Sequence, residues 1–215
     1  MFNASERASL YRYFSTRFKW PVVIALPSLL VILALSATQQ WAPWSFSVTF
    51  MLALALVVPL RLADDLADRR RDQSRYPDRE LCKTAYLPSY WYSLVILLCI
   101  AALVVSCTRG LVALVILVAA TAVVAIWYKF REALQASAIV NYHVVLTKYI
   151  AFEWILIDSS ALPTSIDGWW YALTAYGALL LWEVLHDETN RLLATARRLA
   201  VLEFAAWLVW TLWIL

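Results

Sequence analysis

Charge is scarce in this chain of 215 residues: 15% are Asp, Glu, Lys or Arg, whereas 63% are hydrophobic. That balance excludes an ordinary soluble domain of this size and predicts an integral membrane protein. Cysteine is scarce as well. Cys82, Cys99 and Cys107 show no metal-ligand spacing, and the last two lie in an apolar run as small hydrophobes do, so neither a disulfide framework nor a zinc site is supported. The two histidines, His143 and His186, stand alone and are read as satisfied hydrogen-bonding groups. Glycine is nearly missing, and Gly110 and Gly168 fall at turns. There is no internal repeat or low-complexity tract, and the short connections leave no room for an inserted soluble domain. The apolar runs also lack the alternation that a strand barrel requires. The net charge of +3 is small, and no nucleic-acid partner is expected.

What is present is a series of apolar runs. Residues 21–37, 46–65, 87–107, 111–127, 138–157, 169–186 and 199–215 are each near the roughly 20 residues that cross hydrocarbon as a helix. The expected fold is therefore all-α, a bundle of about seven transmembrane helices around a central cavity. Residues 1–20 form a separate interfacial segment, in which Arg7, Arg12, Arg17 and Lys19 alternate with Tyr11, Tyr13, Phe14 and Phe18. The run 21–37 is read as a retained first span rather than a cleaved signal, because it is long and Leu35 is too bulky for a cleavage site. The twelve tryptophans and eleven tyrosines suit membrane interfaces.

Sixteen of the eighteen Lys and Arg residues fall on one side of the expected bundle. Arg109 alone lies on the other, and Lys148 lies inside the fifth span. The positive side is expected to be cytoplasmic, with the amino terminus inside and the carboxyl terminus outside.

The stretch from Arg61 to Arg79, RLADDLADRRRDQSRYPDR, follows the second run directly. Asp65, Asp68 and Asp72 are spaced three and then four apart, so a helix carries them on one face. Arg69, Arg70, Arg71 and Arg75 lie among and after them. Carboxylates beside arginines at a membrane surface suit magnesium and a diphosphate, since the metal takes oxygens and the phosphates take arginines. The alternative is a solvated loop whose acids pair with its own arginines. A second acidic pair, Glu183 and Asp187, is four apart at the same side of the sixth span. Lys148 would cost at least ~2.5 kcal/mol in lipid, so it should face a polar cavity, Glu153 or an acid of another helix. Glu203 is expected to meet Arg198 or the same cavity. Tyr142, Tyr149, Trp154 and Trp182 are candidates for lining a pocket, with interface anchoring and packing the plainer roles.

These features resemble the UbiA superfamily of intramembrane prenyltransferases. Asp64, Asp65, Asp68 and Asp72 in DDLADRRRD look like its first aspartate-rich motif, followed by Tyr76-Pro77-Asp78-Arg79. Glu183 and Asp187 resemble a shortened second motif, and Lys148 is similar in position to a substrate-binding lysine. The resemblance implies Mg2+ held by Asp65, Asp68, Asp72, Glu183 and Asp187, with Arg79, Lys148 and Arg71 on the diphosphate. It implies an enzyme that ionises an isoprenyl diphosphate and passes the prenyl group to a small lipophilic acceptor. Cyclisation of the prenyl chain within itself, as in a membrane terpene cyclase, is a second reading. A non-catalytic membrane subunit or carrier is a third. The chain departs from the pattern by lacking the usual asparagine that opens the first motif, by its shortened second motif, and by seven spans where nine are general. A homodimer or partner subunit would then close the cavity.

Overall fold

The computed structural model describes residues 2–19, 21–135, 137–157, 166–186 and 194–214, and among them every regular element is helical. The expected all-α class is thus observed. Helix α1, Ala4–Arg17, opens with a reciprocal cap: Asn3 accepts from the Glu6 amide at 2.8 Å, and Glu6 accepts from the Asn3 amide at 2.7 Å. Its inner face, Ser9, Leu10 and Tyr13, is buried, with Leu10 and Tyr13 in one cluster with Leu62, Leu66, Leu81, Tyr90 and Leu94. The basic segment expected to lie on a lipid surface therefore docks one face on protein.

A π-helical turn, Pro21–Ala25, leads into α2, Leu26–Thr38. Pro27 lies in the first turn of α2, directly after the π-helical turn, where its missing amide hydrogen removes one donor from the helical ladder. Helix α3, Pro43–Arg75, is 33 residues long, about 50 Å at 1.5 Å per residue. It carries the acidic stretch as a direct helical continuation of its apolar part, and Pro59 removes one ladder donor on the way. Helix α4, Glu80–Lys83, is a single turn beneath α1.

Helix α5, Leu87–Phe130, is broken at Gly110, whose φ of 81° and ψ of −171° suit a residue without Cβ. Three contacts show that the chain reverses there. Tyr90 packs with Leu62 and Leu66, Arg109 reaches the Thr49 hydroxyl at 3.4 Å, and Tyr128 returns to Asp64 at 2.6 Å. The two runs expected on either side of Gly110 are thus the arms of one hairpin packed along α3. Helix α6, Ala138–Leu156, begins where Ser137 accepts from the Val140 amide, and it runs antiparallel to α3: Lys148 meets Asp64, while Arg109 donates to the Leu156 carbonyl at 3.1 Å. Helices α7, Ile166–His186, and α8, Ala194–Ile214, complete the described bundle.

The main core draws Leu30 and Val31 from α2, Leu56 from α3, Ala101 and Leu117 from the two arms of α5, and Phe152 from α6. Among the described residues, α3 and α5 are long and apolar enough to cross a membrane, and Val23–Thr38 is a shorter apolar helix. Helix α2 has 13 residues, fewer than the roughly 20 of a full crossing, and the π-helical turn directly before it makes the expected run 21–37 helical throughout.

Candidate functional site

Because α3 remains helical to Arg75, Asp65 is turned about 100° from Asp64, while Asp64, Asp68 and Asp72 recur every four residues along it. Asp64 and Asp65 point to different neighbours. Asp65 accepts from Arg17 Nη2 at 2.6 Å, Arg17 Nε at 2.9 Å and Tyr13 Oη at 2.8 Å, and Arg61 lies 3.7 Å away. It is a clamp between α3 and α1. The Asp65 hydrogen bond holds the Arg17 guanidinium above its ordinary pKa, and burial followed by the Asp65 charge raises that of Tyr13.

Asp64 faces the other way. It pairs with Lys148 of α6 and accepts from Tyr128 Oη of α5 at 2.6 Å. Lys148 is only 2% exposed, so the carboxylate required by its burial is present, supplied by Asp64 rather than Glu153. Glu153 is itself fully buried, with no hydrogen-bond partner for either oxygen among the described residues. One turn along α3, Asp68 pairs with Arg131 at 2.8 Å, and Arg131 also donates to the Ala67 carbonyl at 2.9 Å. A turn further, Asp72 pairs with Arg79, whose guanidinium lies 3.9 Å from the Tyr76 ring centre. Asp64, Asp68 and Asp72 thus follow one another along α3, each against a cation from a different part of the chain. Arg71 is half-buried and within electrostatic reach of Asp68.

The expected second half of the site is placed only in part. Glu183 belongs to α7, but its side chain and Asp187 lie outside the described residues. Among the described residues, no three His, Cys, Asp or Glu side chains gather into a metal-binding group. Their chemistry nevertheless suits magnesium: Asp64, Asp68 and Asp72 are hard oxygen donors on successive turns, each beside a cation that an incoming phosphate oxygen would attract.

A smaller polar cluster ties α4 to α1. Glu80 accepts from Ser9 Oγ at 2.7 Å and from both Nε and Nη2 of Arg12 at 3.2 Å. Burial acts to raise the Glu80 pKa, but the hydrogen bonds from Arg12 and Ser9 outweigh it and leave the carboxyl below its ordinary value.

Sequence reasoning missed Arg131 and Tyr128 as site groups. Their spacing of three residues on one helical turn is the signal that pairs them, and Arg131 indeed lies 4.6 Å from the Tyr128 ring centre. Of the four aromatics expected near a pocket, Tyr142 is buried, Tyr149 packs edge-on to Phe152, Trp154 packs edge-on to Trp169, and Trp182 is half exposed. His143 is satisfied at Nδ1 by Tyr176 Oη at 2.6 Å, as expected, whereas the side chain of His186 lies outside the described residues. Glu203 approaches His143 at 3.5 Å instead of Arg198. No protein-family model matches the chain, and no curated protein or solved structure does either.

Proposed function

We propose that the chain is a magnesium-dependent membrane enzyme acting on an isoprenyl diphosphate, transferring the prenyl group to a small lipophilic acceptor. The supporting observation is the buried pairing of Lys148 with Asp64 and Tyr128, which joins the acidic stretch of α3 to the one lysine inside an apolar run. Burying an ion pair costs several kcal/mol per charge before attraction returns it, so such a pair is poor value as structural glue. It makes sense as a preformed set of charges that separate when a more highly charged ligand arrives.

In this reading Asp64, Asp68 and Asp72 hold magnesium, with Glu183 and Asp187 contributing from α7 and the residues after it. Lys148, Arg131 and Arg79 turn from their carboxylates to the diphosphate oxygens, with Arg71 close by. Bound magnesium would neutralise charge growing on the departing diphosphate. The apolar faces of α2, α3, α5 and α6 shelter the hydrocarbon chain and exclude water. Asp65, which meets Arg17 and Tyr13 of α1 instead of Lys148, is given no metal in this reading. The bundle is read as seven spans with the amino terminus and the ion-paired end cytoplasmic and the carboxyl terminus opposite; a second copy or a partner subunit closes the acceptor side.

The test is incubation of purified protein in lipid nanodiscs with magnesium and geranyl, farnesyl or geranylgeranyl diphosphate. Magnesium-dependent release of diphosphate is expected, and Asp68→Ala or Asp72→Ala should abolish it while the protein still inserts. Release that needs an added acceptor marks transfer, and hydrocarbon or alcohol products without one mark the cyclase reading. Activity unaffected by removing Glu183 and Asp187 would exclude the split-site arrangement. The non-catalytic reading draws on one observation, that Asp64, Asp65, Asp68 and Asp72 are each matched by a cation of the chain itself. Protein that neither binds nor consumes any of the three diphosphates with magnesium would overturn both enzyme readings.

A further inference from the structure

A second polar cluster lies on another face of α6, five residues before Lys148 and thus about 140° around the helix from it at 100° per residue. A cavity of about 380 Å³ opens between α7 and α8, walled by Trp170, Phe204, Trp207 and Trp210, with Tyr176 and Glu203 at its polar part. Its size falls within the roughly 300–1,000 Å³ of ordinary small-molecule sites. Trp170 and Trp207 stack with ring centres 5.4 Å apart, and Phe204 continues the stack at 5.4 Å, so the walls hold one another in place.

Behind Glu203 stands His143, fixed by Tyr176 at Nδ1 and stacked on Tyr142 with ring centres 4.5 Å apart. Glu203 Oε2, His143 Nε2 and Tyr142 Oη are buried and have no hydrogen-bond partner among the described residues. Glu203 Oε1 and His143 Nε2 approach to 3.5 Å. Either tautomer of His143 leaves Glu203 Oε2 without a donor. Glu203 thus has a carboxyl oxygen without a donor, and the residue lies on the wall of a cavity lined by aromatic rings. A primary ammonium supplies three donors and a positive charge, and aromatic walls favour a cation or the flat body attached to it. A phenol would bring one donor and no charge.

We propose that this cavity binds a lipophilic primary amine, with its ammonium group on Glu203 and its apolar body among Trp170, Phe204, Trp207 and Trp210. The site is separate from the ion pairs of α3 and needs neither magnesium nor diphosphate. Equilibrium dialysis of the protein in nanodiscs against 1-naphthylmethylamine and its neutral isostere 1-naphthylmethanol, with binding to empty nanodiscs subtracted, tests it. The amine should bind at least about tenfold more tightly than the alcohol, and Glu203→Gln should remove that preference. Equal binding of the two probes to the unaltered protein overturns the proposal, as does an amine preference that survives Glu203→Gln in a normally folded variant. The first comparison needs no variant, and neither outcome bears on diphosphate release.

Discussion

Asp64 and Asp65 are neighbours in sequence, yet they serve different halves of the molecule. Asp65 is tied to the partly exposed Arg17 of α1 and holds a peripheral helix in place, whereas Asp64 is tied to the buried Lys148 of α6 and joins the two central helices. Successive residues on a helix are turned by 100°, so adjacency in sequence is separation in space. A run of acids on a helix is thus a set of candidates for different tasks, and the partner decides which task each performs.

The difference should show most strongly in stability. Asp64→Ala leaves the Lys148 ammonium buried without a carboxylate and should cost about 3–5 kcal/mol. Replacing both members, Asp64→Ala with Lys148→Met, should restore much of the loss, and denaturation in detergent would read the non-additivity. If the single and double variants are equally unstable, the pair is not the unit described.

A smaller and more local effect is expected at the other acid. Asp65→Asn weakens the hydrogen bonds from Arg17 and Tyr13 and should cost about 1–3 kcal/mol. Amide exchange would quicken in α1 while the α3 and α6 amides stay protected, and uniform quickening across the bundle would contradict a peripheral clamp. The Glu80 contact should matter less again. Its folded pKa lies below the ordinary 4.5, so its contribution is present above about that pH and is lost as pH falls through the folded value. Exchange protection of α1 should therefore decline on acidification from pH 5 in the native chain by a step missing from Glu80→Gln. The exposed pair of Lys83 and Asp78, 2.9 Å apart, should be the least consequential, with no measurable loss of stability in Lys83→Ala.

The all-α class was readable because long apolar runs without alternation leave a helix as the only local solution. The reversal at Gly110 was also legible, since a lone glycine between two apolar runs marks a break. Lys148 announced its need for a carboxylate through its position in an apolar run. Which carboxylate supplied it was not legible, because Asp64 lies 84 residues away and Glu153 lies on the same helix. Periodicity likewise grouped Asp65 with Asp68 and Asp72 on one face, but Asp64 and Asp68 share a face equally well. The choice between them is made by Arg17 and Tyr13, which the sequence presents only as part of a basic, aromatic leader. Spans were the least legible feature: apolar length alone did not reveal that 21–37 divides into a π-helical turn and a 13-residue helix.

The central claim is that the Asp64 side of α3 handles a diphosphate and the Asp65 side does not. Magnesium-dependent binding of a non-hydrolysable farnesyl diphosphate analogue to the Asp68→Asn and Asp65→Asn proteins tests it most directly. Asp68→Asn should weaken binding by at least about tenfold, while Asp65→Asn should bind within about twofold of the unaltered chain. Equal losses in the two variants, or a loss confined to Asp65→Asn, would contradict the division.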